Sequence, residues 1–127
     1  MFKELRKKIN DREYLLYLNN KNINITSKRI NGLKSQFDSL ITNGEINPEK
    51  SFFIYNEKNF ATFGLSYHLD IVWVNYDDKI IHIEEDFIEN KISKEIENTK
   101  FIYIFSSGTI KKKEIILNGI LKHIYKR

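Results

Sequence analysis

Short runs of β-branched and aromatic residues, each closed by Asn, Asp or Gly, recur along the chain and set its dominant period at two. EYLLYL (13–18), NINIT (22–26), SFFIY (51–55) and FIYIFSS (101–107) are four of them. HLDIVWVNYDDKIIHIEED (68–86) holds two more, 69–75 and 80–85, on either side of Asp77-Asp78. Alternation of this kind buries one face of a strand and wets the other, and turn residues between two such runs join them as a hairpin. NNKN (19–22) and Asn118-Gly119 are further hairpin signals, the latter inside EIILNGILKHIY (114–125). FIYIFSS is strongly apolar over its first five residues, which fits a strand buried on both faces.

One segment changes period. In TSKRINGLKSQFDSLITNG (26–44), Ile30, Leu33, Phe37, Leu40 and Ile41 recur every three or four residues, Thr26 or Ser27 is placed to cap, and Gly44 to stop. FIENKISKEIENTK (87–100) reads as a short helix or a covering loop, because Ile88, Ile92 and Ile96 are spaced by four. The expected fold is mainly β: a single compact antiparallel domain over 13–125 with one short helix near residues 27–42. Residues 1–12 precede it as a basic N-terminal arm or short helix. A chain of 127 residues buries roughly two thirds of its unfolded surface in one such domain.

Composition removes several function classes. There is no cysteine, so disulfides, thiolate metal sites and thiol nucleophiles are excluded. No window reaches the ~20 apolar residues of a membrane span, and the charged start leaves no room for the apolar core of a signal peptide. A cytoplasmic location or a viral particle is expected. The net charge of +4 is mild and far short of a nucleic-acid footprint. Arg occurs only at 6, 12, 29 and 127, which argues against bidentate reading of phosphate or bases; a nucleic-acid partner is not expected.

The stretch 68–86 contains two of the three histidines and is the place to look for an acid–base or metal site. If Asp77-Asp78 is a two-residue turn, Trp73 opposes His82, Ile71 opposes Glu84, Val74 opposes Ile81 and Asp70 opposes Glu85. His68 and Asp70 then share one face, and His82 and Glu84 the other. A three-residue loop would instead slide His82 opposite Val74. Neither register converges four ligands on one ion, so no metal site and no cofactor are expected. His82 against Trp73 is a cross-strand aromatic pair, and Asp70 beside Glu85 would be two carboxylates near a strand end. Ser106-Ser107-Gly108 lacks the glycine pattern of a nucleophile elbow. Lys111-Lys112-Lys113 is a solvated basic turn.

Three segments taken together resemble a known family. SKRINGL (27–33) resembles an R-x-x-G-L motif. FATFGLSYHLDIVWVNYDDKIIHI (60–83) resembles F-W-M-K-N-T-x-x-P-L-D-I-x-F-x-D-x-D-G-x-V-x-x-I. FIYIFSSGTIKKKEIILNGI (101–120) resembles V-L-E-L-x-A-G-T-x-x-x-x-G-I-x-x-G-D. These are patterns of domain-of-unknown-function family 192, small bacterial and archaeal proteins. The resemblance implies a β-rich domain of sandwich or jelly-roll-like topology and no established activity. Arg29, Gly32, Leu33, Phe60, Leu69, Asp70, Ile71, Gly108 and Thr109 match the pattern, and Arg29, Gly32, Asp70, Gly108 and Thr109 are the candidate site residues. The chain departs from it at Ala61, Thr62, Phe63, Gly64 and Leu65, where the family has W-M-K-N-T, and at His68, where it has proline. Arg29 and Asp70 are expected to pair as ions and lock helix to sheet.

The leading functional expectation is a non-enzymatic structural or interaction module with protein partners in a larger assembly. A phage virion suits the AT-rich style of the composition. A small-molecule or carbohydrate-binding β domain, with Trp73, Tyr67 and Tyr76 as stacking surface, is the alternative. A carboxylate-dependent hydrolase using Asp70 with Glu85 or His68 is the third.

Overall fold

The computed structural model describes residues 12–30, 41–42, 45–61, 68–88 and 91–126. Through them run β1 (Glu13–Leu18), β2 (Lys21–Arg29), β3 (Ile41–Thr42), β4 (Glu45–Ile46), β5 (Lys50–Tyr55), β6 (Leu69–Val74), β7 (Ile80–Phe87), β8 (Phe101–Ser106) and β9 (Leu121–Tyr125). A single-turn helix, α1 (Thr109–Lys112), lies between β8 and β9. The domain is mainly β, as the alternation requires. Seven strands form one sheet in the order β7-β6-β8-β5-β2-β1-β9, and β3 pairs with β4 in a separate ribbon. β2 and β5 are parallel, and the other neighbours in the sheet are antiparallel. One sheet with apolar residues on both faces thus takes the place of two facing sheets.

The turns follow the chemistry of their residues. Asn19 and Asn20 both adopt positive φ, 50° and 68°, which is what a two-residue hairpin turn demands and what asparagine tolerates. The β6–β7 reversal is one residue longer than Asp77-Asp78 alone. The Asn75 side-chain oxygen accepts the N–H groups of Asp77 and Lys79 at 2.9 and 3.0 Å, and Asp78 takes φ 59°. A bulge beside Val74, which faces Ile80 rather than Ile81, absorbs the extra residue. The pairs Trp73–His82, Val72–Ile83 and Ile71–Glu84 then stand as the alternation anticipates.

The sheet curls until its outer strands meet at one corner. Lys79 bridges Ile120. The Ile80 N–H donates to the Gly119 carbonyl at 2.8 Å, and the Leu121 N–H to the Asp78 carbonyl at 2.9 Å. Asn118-Gly119 therefore does not join two strands of a local hairpin. Its backbone stitches β9 to the start of β7, while residues 113–118 fold back so that the Ile115 N–H reaches the Ile110 carbonyl at 2.9 Å.

Two apolar clusters occupy the two faces. One draws on all seven strands, including Leu16, Ile25, Phe53, Val72, Ile80, Tyr103 and Leu121, and so lies inside the curl. The other includes Phe52, Ile54, Ile71, Trp73, Ile102 and Ile104 and is covered by Ile30, Ile46 and Phe60 from the connections. β5, β6 and β8 contribute alternate residues to each, so residues 102–105 of β8 are buried on both faces. Each large side chain buried this way stabilises the fold by about 1.5–3 kcal/mol.

One expectation changes here, and one alternative is decided. β2 continues as strand through Arg29, paired with Phe53 of β5, so no helix begins at Thr26 or Ser27. Its remaining residues 31–40, with Gly32 and Leu33, lie outside the described residues. Residues 91–100 form a covering segment: Ile92 bridges Ala61, and the Ser93 and Ile96 N–H groups donate to the carbonyls of Phe60 and Lys58, both at 2.9 Å. Among the described residues no helix is long and apolar enough to cross a membrane.

Candidate functional site

Strand polarity gives the curl two unlike ends. At one lie the starts of β5 and β6, the end of β8 and the helix α1. At the other lie the ends of β2, β5, β6 and β9 and the starts of β1 and β8.

Asp70 anchors the first end. It is fully buried, its Oδ1 accepts the Asp86 N–H at 2.8 Å and its Oδ2 accepts the Ile110 N–H at 2.8 Å. Both donors would otherwise be orphans. The ladder passes from Leu69–Phe87 to Ile71–Glu84, so Asp70 faces both Glu85 and Asp86 across a bulge, with Asp86 at φ 53°. The Ile110 N–H sits in the first turn of α1, where no intrahelical acceptor exists. The bulge also removes the expected meeting of Asp70 with the Glu85 carboxylate, since the main chain of Asp86 occupies that place.

Gly108 and Thr109 complete the same turn. Gly108 adopts φ 92°, and a Cβ there would touch nothing within 4 Å, so the glycine serves backbone conformation rather than space. Thr109 is buried, and its hydroxyl lies 2.9 Å from that of Ser106. Three of the five candidate residues, Asp70, Gly108 and Thr109, are thus brought together. Arg29 is not: β5 and β8 stand between its strand and that of Asp70, roughly 14 Å at ordinary strand spacing. Its guanidinium lies instead 5.2 Å from the centre of the Tyr55 ring. The expected Arg29–Asp70 ion pair does not form, because β2 remains a strand and the carboxylate is saturated by main-chain donors. Gly32 lies outside the described residues.

Asp86, which the sequence did not single out, and Ser107, considered there only as part of a nucleophile elbow, form the rim. Asp86 Oδ1 lies 2.9 Å from His68 Nδ1 and accepts the Ser107 hydroxyl at 2.8 Å. The Ser107 hydrogen bond first, and His68 second, hold the exposed Asp86 carboxyl below its ordinary range. This order does not make a nucleophile relay, in which an imidazole stands between hydroxyl and carboxylate. Here the carboxylate stands between. His82 packs edge-on against Trp73 at 4.9 Å, with Nε2 3.0 Å from Glu84 Oε1. Among the described residues no three His, Asp or Glu side chains gather to hold a metal ion.

The opposite end is built from rings. Tyr55 contacts Phe101 at 5.6 Å, Phe101 contacts His123 at 4.8 Å, His123 contacts Tyr14 at 4.9 Å, and Tyr14 contacts Tyr125 at 5.8 Å. His123 also stacks on Phe53, 4.1 Å between centres, and its Nδ1 lies 2.7 Å from the Tyr103 hydroxyl. Burial pushes the Tyr103 hydroxyl well above its usual pKa, with Asp78 adding to the effect. Burial chiefly, then the charges of Lys100 and Arg29, lower that of His123 to about 4. The bond therefore joins a neutral imidazole to an un-ionised phenol, and the imidazole tautomer sets which of them donates. Arg29, Lys100 and Arg12 lie over Tyr55, Phe101 and Tyr125, at 5.2, 5.2 and 5.0 Å from the ring centres. None of the three cations is within ion-pair distance of a carboxylate among the described residues.

Trp73 takes no part in the stacking surface expected from it with Tyr67 and Tyr76. Trp73 is fully buried, its indole N–H donating to the Lys58 carbonyl at 3.0 Å. Tyr76 is exposed on the β6–β7 turn, and Tyr67 lies outside the described residues. The exposed tyrosines of the ring row are Tyr55 and Tyr125, 43% and 48% accessible.

No protein-family profile and no curated protein sequence matches the chain. Two solved structures are similar to it. One is a protein of unknown function from Novosphingobium aromaticivorans DSM 12444, 12% identical over 87% of this chain and 84% of the other, with a TM-score of 0.67. The second is a candidate transcription regulator from Sinorhizobium meliloti 1021, 14% identical over 87% of this chain and 93% of the other, also at 0.67. At such identities the likeness shows a shared fold.

Proposed function

We propose that this protein is a non-enzymatic interaction module, a β domain that serves a larger bacterial or phage assembly, and a divergent member of domain-of-unknown-function family 192 without its W-M-K-N-T motif. One observation carries the functional part. The Asp70 carboxylate, the acid that a hydrolase reading would employ, has both oxygens bonded to main-chain N–H groups and no exposed surface. A general acid or base must reach its substrate. The family reading is supported by the matching order of Asp70, Gly108 and Thr109 and by their meeting in one turn. The exposed Ile116, Leu117 and Ile124 offer apolar surface to a protein partner. A screen against esters, phosphates and glycosides is expected to return no turnover. Turnover that disappears in Asp70→Asn, at a temperature where that variant is folded, would overturn the proposal.

A second reading, a ligand-binding β domain, is favoured by the accessible Tyr55 and Tyr125 in one ring row. Its general test is saturable quenching of tyrosine fluorescence by an added ligand, lost in a Tyr55→Ala, Tyr125→Ala double variant.

A further inference from the structure

We propose that the ring row at the open end of the curl binds a short single-stranded stretch of nucleic acid by sequence-tolerant stacking. The proposal deepens the ligand-binding reading by naming the ligand. Its first support is the row itself: Tyr55, Phe101, His123, Tyr14 and Tyr125 follow one another at 4.8–5.8 Å, a path longer than one small planar molecule. The second is the placing of the cations. Arg29 and Lys100 flank one end of the row and Arg12 the other, each against a ring and none paired with a carboxylate among the described residues. Glu13, beside Arg12, is already matched by Lys50 and Lys126 at 3.8 and 3.7 Å.

Each competing ligand matches only part of this arrangement. A neutral sugar stacks on tyrosine but gains nothing from three cations. A polyphosphate uses the cations and leaves the rings idle. A duplex keeps its base faces against one another and offers phosphates alone. A single strand presents a planar face and a phosphate at every nucleotide, which is the pairing of groups found here. An Arg lying on a ring keeps its N–H edge free for phosphate. The scarcity of Arg counts against reading base edges, and stacking needs no such reading.

The test is a fluorescence-anisotropy titration of the full chain into a labelled mixed-sequence oligonucleotide about twelve nucleotides long, as DNA and as RNA, at low and physiological salt. Saturable binding that weakens with salt is expected. Tyr55→Ala and Tyr125→Ala should each weaken it by at least about fivefold. Arg29→Ala and Lys100→Ala should each reduce the slope of log affinity against log salt by about 0.7. Lys111→Ala, on α1 at the other end, should change affinity little. Melting curves establish that the tyrosine variants are folded. Three outcomes overturn the proposal: no binding at low salt; equal binding of polyphosphate or duplex with the tyrosine variants silent; or binding of a neutral oligosaccharide such as cellohexaose at these tyrosines in place of the oligonucleotide. The last would leave the ligand-binding reading standing and remove the nucleic acid from it.

Discussion

At the α1 end of the curled sheet a buried carboxylate is bonded to two main-chain N–H groups; at the other, three cations lie on rings and meet no carboxylate among the described residues. The first arrangement fixes backbone. Asp70 ties a bulge of β7 to the helix that follows β8, and substituting it should be felt as lost stability. The second sets three cations against a row of rings, and on the proposal substitutions there should be felt as lost binding. Asp70, conspicuous in the sequence, belongs to the first kind, and the residues of the proposed binding row to the second.

The largest expected effect tests the closed end. Asp70→Ala strips the acceptors from one buried and one part-buried N–H group and should cost about 3–4 kcal/mol, with Asp70→Asn, which keeps one acceptor, near half of that. Chemical denaturation measures both, and unchanged midpoints would remove Asp70 from its structural role.

The next effect belongs to the open end and is read against pH. His123 is held near 4 in the folded protein and returns to about 6.5 when unfolded. The unfolded chain therefore binds more protons between those values, and stability falls as the pH drops from about 6.5 to about 4, by roughly 3 kcal/mol in all. Above 6.5 this contribution is fully present. A His123→Phe, Tyr103→Phe double variant, which removes both partners of the 2.7 Å bond, should flatten that part of the profile. If the profile keeps its slope, another group is responsible.

Gly108→Ala comes third. Space is available, and the cost is the positive φ alone, about 1–2 kcal/mol. Smallest are Tyr55→Ala and Tyr125→Ala, about 0.5 kcal/mol or less in stability, although they form the two ends of the proposed binding row.

Strands β1, β2, β5, β6, β7 and β8 were legible because period-two alternation and Asn or Asp turns are local signals. The Trp73–His82 pair was legible for the same reason. The bulge at Asp70 was not, since it depends on where the Asp86 N–H finds an acceptor. Nor was the parallel pairing of β2 with β5, which converted the expected start of a helix into strand. The Lys79–Ile120 corner is a contact between distant segments, and the Asn118-Gly119 signal named a turn without naming its partner. The ring row was least legible of all. Tyr14, Tyr55, Phe101, His123 and Tyr125 come from four strands, and no window of sequence contains them together.

The division of labour between the two ends can be put to one paired measurement: melting temperature and oligonucleotide affinity of Asp70→Asn beside those of the Tyr55→Ala, Tyr125→Ala double variant. The expected result is that Asp70→Asn melts lower yet binds normally while folded, and that the tyrosine variant melts close to the parent yet has lost binding. An Asp70→Asn protein as stable as the parent, or a tyrosine variant that binds as tightly, would contradict it.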